Sequence, residues 1–228
     1  MKTNWRIELG LLLLIAAMFA GGLYVWPGAP DRIPVHWNAS GEVDRYGGKV
    51  EGLLGIPLMA LGIYLLMRFV PRIDPGRANY ARFGGAYTAI RVGIQLLMAA
   101  IFAVILSWVL KVPIDVSRAV PLGVGALFIL IGAVLGKIRP NWFVGVRTPW
   151  TISSKTSWVR THRLGGWLFM ALGVLFAVTG AFKLGRFGFV VIGAVLAVVV
   201  ILFVYSYLVW RADPEKQPPA GTLPADDE

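Results

Sequence analysis

The residues able to do chemistry lie in two polar segments of an otherwise apolar chain. The first, 27–49, holds His36, Asn38, Glu42 and Asp44 close together. An imidazole, an amide and two carboxylates at that spacing can converge on a polar ligand or a metal ion. Equally, Asn38 and Asp44 can bond nearby backbone while His36 packs against its surroundings. One histidine with scattered carboxylates lacks the compact ligand spacing of a zinc site, so no metal is expected. The second segment, 137–163, holds Lys137, Arg139, Arg147, Lys155, Arg160 and Arg163 with no acidic residue, and spaces Trp142, Trp150 and Trp158 along its length. Six cations with three indoles suit a lipid headgroup boundary, where indole is half apolar and half wet. They equally suit a docking surface or a gate. Catalysis finds little support. The two histidines, His36 and His162, fall in different segments, cysteine is absent, and neither a zinc-protease pair nor a Gly-rich phosphate loop is present. A protein that is no enzyme and carries no cofactor is expected.

The elements that must position these segments are membrane spans. Of 228 residues, 57% are hydrophobic and 15% charged, with a mean hydropathy of +0.69. These values exclude a soluble globular domain, a disordered chain and a fibrous protein. Stretches free of charge run 9–30, 52–67, 92–110, 119–136, 164–182 and 187–210. A helix crosses the hydrocarbon core with about 20 apolar residues. Five stretches suffice directly, and the second extends to Val70 if Arg68 snorkels from its end. The first continues too far, through Trp26, for a cleaved signal peptide. The expected fold is an all-α polytopic membrane protein of six transmembrane helices. Fifteen of the 22 Lys and Arg fall on the side of the N-terminus, which puts both termini in the cytoplasm. The net charge of +10 then faces anionic membrane lipid, and no direct nucleic-acid contact is expected.

Within this frame, residues 1–70 form an N-terminal helical hairpin with an outer loop, 27–52. Residues 71–210 form a four-helix region with the basic inner loop 137–163, and 211–228 form a disordered cytoplasmic tail. Ile33, Val35 and Trp37 alternate with polar or imino residues, suggesting an extended piece, followed by turns at Asn38–Gly41 and Gly47–Gly48. In the inner loop, Pro149 suits a turn, and Ser153 or Ser154 can cap a short interfacial helix leading through Trp158 into the fifth span. Gly132 and Gly136 have the spacing of a close helix–helix contact. Acidic residues are absent from the middle of every span, with Glu8 and Arg91 at inner helix ends, which argues against ion-coupled transport. A transporter or lipid-handling protein without ion coupling stays open, with Gln95, Ser107 and Thr179 lining a path.

Residues 33–47, Ile-Pro-Val-His-Trp-Asn-Ala-Ser-Gly-Glu-Val-Asp-Arg-Tyr-Gly, resemble a conserved N-terminal domain of unknown function in bacterial SdpI-type proteins. Residues 139–151, Arg-Pro-Asn-Trp-Phe-Val-Gly-Val-Arg-Thr-Pro-Trp-Thr, and Trp158 to Arg163 resemble the signature of the SdpI immunity-protein family. The resemblance implies a multi-pass protein of a bacterial inner membrane that protects against a secreted peptide toxin and signals to a cytoplasmic repressor. The toxin would meet His36, Asn38, Glu42 and Asp44. The repressor would meet the inner loop, at Arg139, Asn141, Arg147, Thr148, Trp150, Trp158, Thr161, His162 and Arg163.

Overall fold

The computed structural model describes residues 4–38, 40–184 and 188–216. Helix α1 (Trp5–Val25) leads into a two-stranded antiparallel hairpin, β1 (Ile33–Trp37) and β2 (Val43–Gly47). Then follow α2 (Lys49–Ile73), α3 (Tyr80–Val109), α4 (Val116–Leu135), the short α5 (Pro149–Ser153), α6 (Lys155–Ala181) and α7 (Gly188–Arg211). All but α5 are long and apolar enough to cross a membrane, so the six expected spans are present. Alternating helix direction puts the β-hairpin at one end of the bundle and the 136–154 loop at the other.

Helices α1, α2 and α3 share a core of Leu11, Ile15, Met18, Ala60, Tyr64 and Phe102. The hairpin is tied to this unit by Ile33, which is fully buried against Leu53 and Ile105. Helix α3 also packs on α4, joining the first three helices to the rest. It bends at its fourth residue, Phe83, whose φ of −131° breaks the helical run.

The closest helix pair is α4 with α6. A Cβ at Gly132 would lie 2.6 Å from the Gly166 carbonyl oxygen, and one at Gly125 would lie 2.6 Å from that of Gly173. These glycines recur two helical turns apart on both antiparallel helices, letting the backbones touch where apolar burial alone gives little drive in lipid. The expected partner of Gly132, Gly136, takes no part in this seam: its Cβ would meet nothing nearer than the Arg163 Cα at 3.9 Å.

Helix α3 starts at Tyr80, well ahead of the expected stretch, so Arg91 lies inside the helix rather than at its end. The charge is tolerated there because Glu8 of α1 neutralises it (below). The chain also stays ordered past Arg211. Asp213 folds back and is buried, because its carboxylate accepts from Ser154 at 2.5 Å. The remainder of the expected disordered tail, 217–228, lies outside the described residues.

Candidate functional site

At the loop end, residues 136–154 fold on themselves around Asn141. Its Oδ1 accepts from the backbone N–H groups of Phe143 (2.9 Å) and Val144 (2.7 Å), and its Nδ2 donates to the carbonyls of Arg139 and Val144. Gly145, at φ +108°, then turns the chain where a side chain would be strained. Its Cβ would also fall 2.3 Å from His162 Nε2.

This folded loop is fastened at three places. Asp74, just past α2 and buried, accepts from Gly76 N–H (2.6 Å), Tyr80 O–H (2.8 Å) and Trp142 N–H (3.1 Å). Beside it, Asn79 donates to the Pro140 carbonyl at 2.8 Å. On α6, His162 is fully buried and its Nε2 accepts from Val146 N–H at 3.1 Å, while Nδ1 lies 2.8 Å from the Trp158 carbonyl. A carbonyl can only accept and an N–H can only donate, so the proton sits on Nδ1 and the ring is neutral. On α7, the Thr148 hydroxyl lies 2.9 Å from that of Ser206, and Ser157 donates to the Ser206 carbonyl at 2.8 Å. Asp213 completes the third fastening, and the Ser154 hydroxyl holds its carboxyl below the usual carboxylate range.

Several expected roles change on this geometry. Asn141, Thr148, Trp158, Thr161 and His162 are all buried; all but Thr161, whose hydroxyl has no hydrogen-bond partner among the described residues, bond within the loop and the helices beside it, and none is exposed to a partner. Trp158, expected at a headgroup boundary, stacks on His162 at 4.1 Å and donates its Nε1 to the Ile138 carbonyl at 2.9 Å. Pro149 is the first residue of α5 rather than a turn. Thr148 caps that helix in a reciprocal box with Thr151, and Ser154 caps α6 itself by accepting from Ser157 N–H. Arg139, Arg147 and Arg163 are exposed, with Arg147 donating to the Trp142 carbonyl. Trp150 is half-buried, edge-on to Phe203 and Tyr207 of α7.

At the other end, the hairpin carries its four expected residues exposed and paired with one another. His36 Nδ1 lies 2.5 Å from Asp44 Oδ1 across the two strands, and Asn38 Nδ2 donates to Glu42 Oε2 at 3.0 Å. Asn38 Oδ1 also accepts from the N–H groups of Ser40 and Glu42, closing the turn that Gly41 enters at φ +81°. Among the described residues, no three His, Asp or Glu side chains come together as a metal site.

Sequence reasoning missed a buried ionic cluster joining the first three helices. Arg91 of α3 donates to both Glu8 oxygens of α1, at 2.8 and 3.0 Å. Tyr64 of α2 donates to Glu8 at 2.8 Å, and Arg68 approaches within 3.6 Å. The available signal was the pair of ionisable residues next to apolar runs, which in a span must find a partner.

Fold and loop together define a multi-pass helical membrane protein with a structured, basic connection at one end and a β-hairpin at the other. Residues 137–206 match the SdpI/YfhL protein family, and residues 13–61 match a domain of unknown function, DUF1648. The chain is also 23% identical over 196 residues to a protein named immunity protein SdpI from Bacillus subtilis (strain 168), covering 86% of this chain and 92% of that one. The chain is thus similar to the SdpI family through its 137–206 region and, at lower identity, over most of its length. No solved structure matches it.

Proposed function

We propose that this chain is an immunity protein of a bacterial inner membrane, with both termini and the basic loop in the cytoplasm and the β-hairpin outside. It protects its cell against a secreted toxic peptide that meets the hairpin face. The basic loop face, through Arg139, Arg147 and Arg163, then holds an acidic surface of a cytoplasmic repressor. The likeness to immunity protein SdpI over 86% of the chain carries this reading. The geometry supports it, because α2 and α3 both run from beside the hairpin to the Asp74 fastening of the loop. A shift of the hairpin against Leu53 and Ile105 therefore has α2 and α3 along which to act.

The test is survival of a sensitive bacterial strain expressing the chain and challenged with the secreted peptide toxin of an SdpI system. Protection relative to empty vector is expected, and an abundance-matched Arg147→Ala, Trp150→Ala variant separates protection from signalling. Death of the expressing strain despite normal insertion of the protein would overturn the immunity reading.

A further inference from the structure

The β-hairpin does more than cover the end of α2. Its tip reaches α4, in the other half of the bundle, where a Cβ at Gly41 would lie 2.8 Å from that of Ser117. Beneath the tip, a cavity of about 680 Å³ opens among α4, α6 and α7. Pro121, Phe176, Phe189, Ile192 and Leu196 form its apolar walls, with Ser40, Ser117 and Thr179 as its polar residues. A volume of that size, mostly apolar with a few polar groups, has the character of a small-molecule site.

An ionic cluster stands beside Ser117, next to the polar side of the cavity but not among its lining residues. Asp115, just ahead of α4, accepts from the Ser117 hydroxyl at 2.6 Å and pairs with Lys183 Nζ at 2.7 Å. Arg118 lies 3.9 Å from the same carboxylate. Two cations thus share one carboxylate beside Ser117 and leave an excess positive charge. Lys183 also has φ +53°, at the end of α6 where glycine is the usual residue. A lysine there holds its ammonium on Asp115, one contact away from the lining residue Ser117, which a glycine would not. The apolar side faces outward: Phe189, Ile192 and Leu196 are exposed on α7, a helix that spans the hydrocarbon.

We infer that this cavity is a binding site for one phospholipid with an anionic headgroup, drawn from the leaflet on the hairpin side. An acyl chain enters from the hydrocarbon between α6 and α7, and the phosphate rests against Lys183 and Arg118, beside Ser117, under the hairpin tip. A lipid is favoured over a peptide because the apolar walls open onto hydrocarbon, while cations and hydroxyls gather at the end nearest the headgroups. The inference is independent of the immunity reading.

The experiment uses the full chain purified in mild detergent and measured by native mass spectrometry. Phosphatidylglycerol and phosphatidylcholine with matched acyl chains are added in turn. The parent is expected to retain one phosphatidylglycerol per chain, and phosphatidylcholine about tenfold more weakly. Ile192→Trp, which fills the cavity, should abolish retention, whereas Leu58→Trp on the exposed face of α2 should not. Lys183→Gln with Arg118→Gln should remove the headgroup preference while leaving chain binding. Phosphatidylglycerol with a diazirine in its acyl chain should label Phe176, Phe189 or Ile192 in the parent, a readout that needs no variant to fold. Equal retention of both lipids by the parent, unchanged retention in Ile192→Trp, labelling elsewhere, or displacement of the lipid by an apolar helical peptide at equal concentration would each overturn the proposal.

Discussion

Removing Glu8 should be among the most damaging single changes to the bundle. Arg91 is only 3% exposed and directs two hydrogen bonds at the Glu8 carboxylate, which Tyr64 also contacts. In Glu8→Ala the guanidinium keeps its burial and loses its counter-charge, and the Tyr64 hydroxyl loses its acceptor. Breaking a buried pair from one side costs about 3–5 kcal/mol. Glu8→Gln, which keeps an acceptor for Tyr64 but no charge, should lose less. Replacing both partners, as Glu8→Met with Arg91→Met, should recover most of the loss, because no charge is left without a partner. The assay is equilibrium unfolding of the purified protein in mixed micelles, with the exposed Lys155→Ala as control. A Glu8→Ala loss no larger than that control, or a double variant as unstable as Glu8→Ala, would refute the reasoning.

Other outcomes follow from the same geometry. Gly132→Ala should weaken the α4–α6 seam by on the order of 1–3 kcal/mol, while Gly136→Ala should change stability little, read by the same unfolding assay. Gly145→Ala should free the loop, through its positive φ and its clash with His162, and raise proteolysis within 137–153 without unfolding the spans. Asp213 is held ionised by Ser154, so its contribution is present above the ordinary carboxylate value of about 3.9 and fades as pH falls below it. Unfolding measured from pH 6 down to pH 3 should show that slope in the parent and a smaller one in Asp213→Asn. The chain has no cysteine, so single substitutions report sidedness directly. On intact cells, an impermeant maleimide should label Ser40→Cys and spare Arg139→Cys.

The six spans were legible because charges interrupt the apolar runs, and the first strand was legible because Ile33, Val35 and Trp37 alternate beside turn residues, whereas the second strand, Val43–Gly47, was not. The fastenings of the loop were not. Asp74 meets Trp142, and Ser154 meets Asp213, across distances along the chain that no local pattern marks. Trp158 has the same type and neighbours as an interfacial tryptophan, and only packing under Ile138 shows it to be core. Of the seam glycines only Gly132 was marked, and with the wrong companion, for a related reason. Their partners sit on another helix, so Gly132 is explained by Gly166 and not by its own neighbour four residues on. His162, read as a partner contact, is instead the residue that accepts the loop's Val146 N–H.

The central claim is that a toxic peptide met at the hairpin changes the basic loop at the opposite end. The most direct measurement is hydrogen exchange at the amides of Trp142, Val144 and Val146, which donate to Asp74, Asn141 and His162 respectively. It is made on the full chain in membrane vesicles, with the peptide toxin of an SdpI system or an unrelated apolar peptide added to the hairpin face. The account predicts that exchange at these amides changes several-fold with the toxin and not with the control peptide. Unchanged exchange at saturating toxin, with binding verified, would contradict it.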